Sequence, residues 1–494
     1  MTDMKSFSSF VSPSKFMALT LILFLSASTS ARHFEKFFHV EGGPQYMYYF
    51  AKIKVGSPGA DQSAIIDTGS DTLAFPCDYC SGTDCGTHQD PRFYSKNSKT
   101  FTFLMNCSQR IFFHSHQVCQ FTKSYAEGSS LLGFLAEDYI KFKNARRVND
   151  PKLVKLNSLM QKDMRVKAEF GCTTKETGLF KTQYADGILG LDTGSTLIES
   201  IEKENSQTVP KVFSFGLCFH NSGGIMSVDL RKKFQPDEKI AMLNKHVNQY
   251  VNPIVVPYTD DNNYYEILVS HFELDNVAIP VPPINMMIDS GTTFTHFPTS
   301  YLNKILRQLN AYCKANKDKC GRLGEPNFKE DSCLELKQPD EHYKTEHDLL
   351  ASFPDIKIHL AKSSRPYILH PKNYFYKEYD DNPNPDSIRI CLALKGEEEG
   401  RIILGAFSMI DHYFYFDRKS KQIKIFVENC FLRTQKLLKK ERVLAEVFEP
   451  IEINEDIYKY VFLAVGSIAL AVWLFKRKKT KLIIENTQSP LNAQ

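Results

Sequence analysis

Two stretches decide the reading: Ala64-Ile65-Ile66-Asp67-Thr68-Gly69-Ser70, and Met286-Met287-Ile288-Asp289-Ser290-Gly291-Thr292-Thr293. Each runs from three apolar residues into an aspartate, a small hydroxyl residue and a glycine. Such a pattern sets a carboxylate at the end of a buried strand. Glycine permits the tight turn there, and the nearby hydroxyls can hydrogen-bond the carboxylate. One Asp-Ser-Gly triplet is ordinary turn composition. Here there are two, and each is answered downstream: the first by Asp186-Gly187-Ile188-Leu189-Gly190-Leu191, the second by Arg401-Ile402-Ile403-Leu404-Gly405. Gly69 and Gly190 lie 121 residues apart, Gly291 and Gly405 114. The chain is expected to hold a duplicated β-rich lobe, each copy carrying one acidic turn.

Around these turns, Tyr46 to Ala136 reads as short β-prone runs separated by turn residues, such as Tyr49–Val55 followed by Gly56-Ser57-Pro58-Gly59. The clearest helix is Ser300–Lys314, with apolar residues at Leu302, Ile305, Leu306 and Leu309. Asn144–Lys167 and Lys314–Leu349 are polar and read as surface insertions. Residues 431–456 form a charged stalk with an amphipathic hint at Leu437, Leu438, Leu444 and Val447.

The ends of the chain read as an address and an anchor. Lys15, the apolar run Phe16–Leu25 and the small residues Ser26–Ala31 follow the order of a secretory signal peptide. Ile457–Phe475 is a run of 19 residues that spans a ~30 Å hydrocarbon core at ~1.5 Å per residue, with Trp473, the chain's one tryptophan, at its end. The basic cluster Lys476, Arg477, Lys478, Lys479 and Lys481 follows, which assigns residues 476–494 to the cytoplasm. That tail alone accounts for +4 and the first 31 residues for +1, leaving about −1 between them. So little positive charge excludes a nucleic-acid partner.

Twelve cysteines, an even number, lie between signal and anchor: Cys77, Cys80, Cys85, Cys107, Cys119, Cys172, Cys218, Cys313, Cys320, Cys333, Cys391 and Cys430. In an oxidising lumen they imply disulfides, of a connectivity that sequence does not give. Cys77, Cys80, Cys85 and His88 also have the spacing of a zinc site. Thiols at this density in a lumen are more often disulfides, and no metal or cofactor is assigned.

The paired turns resemble those of the pepsin-like aspartic proteases, over nearly the whole stretch Tyr48–Val427. Tyr125-Ala126-Glu127-Gly128-Ser129 is similar to the family's flap, with Tyr125 at the tyrosine position; Phe170-Gly171-Cys172, Phe213–Cys218, Phe353-Pro354-Asp355-Ile356 and the closing strands also match. The resemblance implies an all-β bilobal fold, here with a C-terminal transmembrane helix, that hydrolyses polypeptides. Asp67 and Asp289 would be catalytic, sharing a proton over one water, and no covalent intermediate is formed. Gly69, Ser70, Gly291 and Thr292 would support them, and Tyr125 and Gly128 would close the flap. The resemblance also pairs Cys172 with Cys218. If the lobes divide shortly after Cys218, odd numbers of cysteines on both sides call for a bridge between halves or free thiols, and Cys430 is the candidate for that bridge. The chain thus divides into signal peptide (1–31), N-terminal lobe (32–220), C-terminal lobe (221–430), stalk (431–456), span (457–475) and tail (476–494).

Phe75-Pro76-Cys77, Cys80, Cys85-Gly86, His88, Pro91 and Phe93, together with Asp289–Pro298, resemble the membrane-anchored plasmepsin V group. That group works in the endoplasmic reticulum, cutting at a motif that contains arginine. Glu127 and Asp90 occupy the places of its arginine-receiving acids, or else they are solvated surface acids. Three departures stand out: Ala74 sits where a flap-supporting tryptophan is usual, Ala126 replaces an unpaired cysteine, and Asp71 replaces a serine. Arg32–Met47 leaves no room for a long inhibitory pro-segment before the first core strand. The expected protein is a single-pass type I endopeptidase of the secretory pathway, facing the endoplasmic reticulum lumen. Its rivals are a broad-specificity protease of the cell surface or an acidic vesicle, and an inactive pepsin-like binding protein.

Overall fold

The computed structural model describes residues 35–80, 82–142, 165–205, 214–229, 253–323, 327–336, 343–378, 388–398 and 400–435. The expected signal peptide, span and tail, nearly all of the stalk and most of the insertion at 144–167 lie outside the described residues. Among those described, no helix is long and apolar enough to cross a membrane.

Each acidic turn follows a strand whose last residues are buried on both faces, Ala64-Ile65-Ile66 in the first and Met286-Met287-Ile288 in the second. Ala60–Asp67 is buried from Gln62 onward, in keeping with its unbroken apolar run. Gly187–Gly190 runs parallel to it, Ala64 opposite Gly187 and Asp67 opposite Gly190. The same short strand runs antiparallel to Leu73–Pro76, so the answering run threads between the strands that enter and leave the acidic turn. The second lobe repeats this. Val277–Ile288 pairs in parallel with Ile402–Leu404, Ile288 opposite Leu404, and Ile402–Leu404 lies antiparallel to Thr295–Pro298. Two β-rich units of one design follow.

Among the described residues the first unit belongs to a 15-stranded sheet and the second to a seven-stranded one, with a three-stranded sheet beside them. The larger sheet draws on both ends of the described chain. Glu35–Gly43 pairs with Gly223–Asp229 and Tyr48–Val55, so the segment ahead of Tyr48 adds a strand that the sequence did not announce. His412–Asp417 and Gln422–Val427 join the same sheet next to Ser214–His220. Thr299–Ala315 is the expected helix, burying Leu302, Ile305, Leu306 and Leu309 on one face. The segment expected as a polar insertion at 314–349 is partly built in. Phe328 and Leu349 are buried, and Cys333–Leu336 pairs with Ile388–Leu392.

All twelve cysteines are paired: Cys77–Cys172, Cys80–Cys85, Cys107–Cys119, Cys218–Cys430, Cys313–Cys320 and Cys333–Cys391. The expected Cys172–Cys218 bridge is corrected, and strand register is the reason. Phe75 lies opposite Cys172 in a parallel pair, which brings Cys77 within 5.4 Å of Cys172, Cα to Cα. Cys218 lies opposite Tyr413 on another strand and takes Cys430. Cys430 does bridge distant parts of the chain, over 212 residues. The thiols of the zinc-like spacing are all in disulfides. Cys430→Ser is expected to lower unfolding free energy by about 2–5 kcal/mol in denaturant titration; an unchanged midpoint would mean the bridge constrains nothing.

Beside this bridge lie imidazoles held neutral. Burial pushes His412 down to about 4 and lowers His39 and His220 as well; the Nε2 atoms of His412 and His220 are buried without a partner. A histidine whose pKa is depressed on folding stabilises above its unfolded value and loses that contribution as pH falls towards the folded one. Thermal melts should therefore show the wild type losing about 3 kcal/mol relative to His412→Gln between pH ~6.5 and ~4. Parallel pH profiles would contradict this.

Candidate active site

The two acidic turns face each other, locked by four hydrogen bonds in a near-symmetric cross. Thr68 N donates to Ser290 Oγ (3.1 Å) and Ser290 N to Thr68 Oγ1 (2.9 Å). The same hydroxyls donate onward across the lobes, Thr68 Oγ1 to Ile288 O (2.8 Å) and Ser290 Oγ to Ile66 O (2.7 Å). All four residues supplying these groups are buried, so the bonds form away from competing water and fix one turn against the other. The small hydroxyl residue of each triplet thus ties the lobes together, a role that its place in the sequence does not reveal.

Both carboxylates are held alike. Asp67 Oδ1 accepts from Gly69 N at 2.8 Å and Oδ2 from Ser70 Oγ. Asp289 Oδ1 accepts from Gly291 N at 2.9 Å and Oδ2 from Thr292 Oγ1 at 2.6 Å. Asp67 and Asp289 are only 4% and 6% exposed. The glycines are what lets them meet. A Cβ on Gly69 would lie 2.6 Å from the Asp289 carboxyl, and one on Gly291 would lie 2.3 Å from Asp67 Oδ1. Burial, and then the charge of Asp289, raise the Asp67 carboxyl well above its ordinary value, against the opposing hydrogen bonds from Ser70 and Gly69. A second negative charge beside Asp67 in a desolvated space is costly, which is why the Asp289 carboxyl acts on it in the same direction as burial.

Above the pair stands the hairpin of His116–Ser124 and Ser130–Phe142, closed by Tyr125-Ala126-Glu127-Gly128-Ser129. Tyr125 N donates to Ser129 O at 2.9 Å, and Gly128 takes φ +91°, a left-handed turn that glycine accepts without strain. The Tyr125 ring packs on Phe180, centroids 5.1 Å apart, beside a buried group that includes Phe50, Ile65, Ala74 and Ile188. Phe180 is therefore the ring against Tyr125, where Ala74 offers no large side chain. Nothing in the local sequence marked Phe180. The Tyr125 hydroxyl is buried near Ser70 without a well-formed hydrogen bond.

The cysteine-rich loop is docked by Glu176, whose Oε2 accepts from Gly86 N and meets His88 Nε2, both at 2.9 Å. Burial opposes the His88 charge, but the Glu176 carboxylate outweighs it and the imidazole pKa is raised. The His88 of the zinc-like spacing is thus a docking residue. Asp90 lies in an open hollow of about 250 Å³ walled also by Gln62, His88, Arg92 and Asp186. Its N–H donates to Asp186 Oδ1 at 2.9 Å, while its Oδ2 is buried without a partner. Burial pushes the Asp186 carboxyl up to about 6. Glu127 is exposed at the tip of the hairpin and is not part of that wall.

Twin threaded strands, crossed hydroxyl bonds and two buried carboxyls under a hairpin define a pepsin-like aspartic protease. A family model described as eukaryotic aspartyl protease matches residues 48–426, and the chain belongs to that family. It is an aspartic-type endopeptidase related to plasmepsin V. Plasmepsin V of Plasmodium falciparum is 25% identical over 455 residues, covering 78% of this chain and 71% of its own. Aspartic protease 5 of Toxoplasma gondii is 32% identical over 206 residues, 37% of this chain and 19% of its own. Aspartic proteinase 36 of Arabidopsis thaliana is 25% identical over 285 residues, 53% of each chain.

Proposed function

We propose that Asp67 and Asp289 are the catalytic pair of a membrane-anchored endopeptidase that faces the lumen of the secretory pathway and processes polypeptides at an arginine-containing motif. The observation that carries the catalytic assignment is the mutual fit of the two turns, each glycine leaving room for the opposite carboxyl. The charged member takes a proton from a water held between them as its oxygen attacks the scissile carbonyl. The protonated member donates to the developing oxyanion, and the tetrahedral intermediate then collapses with proton transfer to the leaving nitrogen. Six disulfides and the apolar runs at 16–25 and 457–475 support the lumenal, anchored placement.

The arginine preference rests on Asp90 and Glu127. Asp90 Oδ2 is a buried acceptor with nothing to accept from, and Glu127 sits two residues from Tyr125 on the element that closes over substrate. Carboxylates desolvated by closure bind a forked guanidinium better than an ammonium, since the fork satisfies two acceptors at once. Matched peptides with arginine, lysine or alanine on the amino-terminal side of the scissile bond test this. The expected order is arginine first, and Glu127→Ala should cost arginine peptides roughly 30- to 5,000-fold in kcat/KM, the equivalent of ~2–5 kcal/mol. Equal rates on all three peptides would leave a protease of broad specificity.

A further inference from the structure

Asn106-Cys107-Ser108 is the one Asn-x-Ser/Thr triplet in the 494 residues. Asn106 is exposed in the loop between Thr102–Phe103 and Arg110–Phe113, and its side chain makes no hydrogen bond among the described residues. The loop itself is pinned, by Cys107–Cys119 and by Cys119 N donating to Leu104 O at 2.8 Å. Its apolar neighbours are unusually bare: Met105 is 48% and Phe112, on the adjoining strand, 82% exposed. We propose that Asn106 carries an N-linked glycan, which covers this apolar surface. In the transfer, Asn106 Nδ2 forms a bond to the anomeric carbon of a lipid-pyrophosphate-linked oligosaccharide. The carbon–oxygen bond to the pyrophosphate breaks, and the amide proton and the lipid pyrophosphate leave.

This rests on the lumenal placement, and the test separates the two. The full chain is expressed in its secretory pathway and digested with peptide N-glycosidase, alongside Asn106→Gln and a reporter, Ala278→Thr, which puts a threonine two residues after exposed Asn276. A single mobility shift in the native chain, absent from Asn106→Gln, is the expected result. A glycan on the reporter's new site with none on the native chain overturns the glycan proposal but leaves the lumenal reading. No glycan on either chain overturns both.

An independent observation concerns Asp71, which follows Ser70 directly. Its Oδ1 meets Lys123 Nζ at 2.6 Å, and Lys123 stands on the first flap strand two residues before Tyr125. Ala74 withholds a large supporting ring and the Tyr125 hydroxyl has no well-formed hydrogen bond, so this ion pair is a polar tie between the flap base and the chain leaving the Asp67 turn. We infer that Asp71 and Lys123 are positioning residues that hold the flap over the catalytic pair. Their side chains are 37% and 30% exposed, so the pair adds little to global stability, and its effect belongs in substrate binding. Asp71→Asn and Lys123→Met should each raise KM about five-fold with kcat and Tm nearly unchanged, and the double variant should lose no more than either single one. Added salt should raise the wild-type KM towards that of the variants. Additive losses, a fall in kcat alone or unchanged KM would overturn the assignment.

Discussion

Asp67→Asn and Asp289→Asn are each expected to remove peptide hydrolysis by roughly four orders of magnitude while the chain stays folded. An amide retains one oxygen that can accept from the glycine N–H of its own turn, at 2.8 Å in the first lobe and 2.9 Å in the second, so the turn survives. What it loses is the capacity to take or give a proton. In Asp289→Asn, Asp67 also loses the neighbouring charge that now helps to raise it, and in either variant a single carboxyl cannot fill both the acid and the base role. Steady-state rates on a peptide substrate, with circular dichroism and melting curves as the check on folding, measure this. Substantial turnover by either purified variant, with contaminating proteases excluded, would sink the assignment of the pair.

Gly291→Ala is the second large effect, and it tests geometry instead of proton chemistry. The added Cβ would stand 2.3 Å from Asp67 Oδ1 and 2.5 Å from its carboxyl carbon, inside any tolerable contact. Neither group has a free direction to move, because Asp67 is held by Gly69 and Ser70 and residue 291 by the turn that Ser290 locks to the opposite lobe. The carboxyls must part, and a displacement on the order of 1 Å at reacting groups costs about 100-fold or more in rate. Both aspartates remain, so kcat should collapse with the ionisable groups intact. Wild-type kcat in this variant would show that the turns are looser than their hydrogen bonding indicates.

What could be read from the sequence were features written within a few adjacent residues. The acidic turns, the answering apolar runs and the flap turn at Tyr125 are local patterns whose conformational meaning follows from periodicity and glycine. The helix at Thr299–Ala315 was legible for the same reason, its buried face recurring at helical spacing. Partnerships set by register were not legible. Cys172 and Cys218 look like partners along the chain, yet Cys172 is placed by a parallel pairing with Phe75 and Cys218 by an antiparallel one with Tyr413. Phe180 beneath Tyr125 and Lys123 beside Asp71 are likewise meetings of segments about 50 residues apart, with no local signature in either. The strand character of Glu35–Gly43 is not local, because it depends on Gly223–Asp229, whose pairing it completes. The spacing of His88 from the cysteines is metal-like, while its partner Glu176 lies 88 residues away, beyond the reach of any local pattern.

The sheet that carries the first acidic turn is finished only by the last strands of the described chain, His412–Asp417 and Gln422–Val427, and is stapled by Cys218–Cys430. That arrangement sets a clock on biosynthesis. Cys218 emerges from the ribosome 212 residues ahead of its partner, a wait of about 10 to 40 s at ~5–20 residues per second. Through that interval the first lobe has an open sheet edge, and Cys218 waits for its partner. Asp67, already made, has no Asp289 turn locked against it until the second lobe has emerged and folded, so the growing chain is a protease without a working centre.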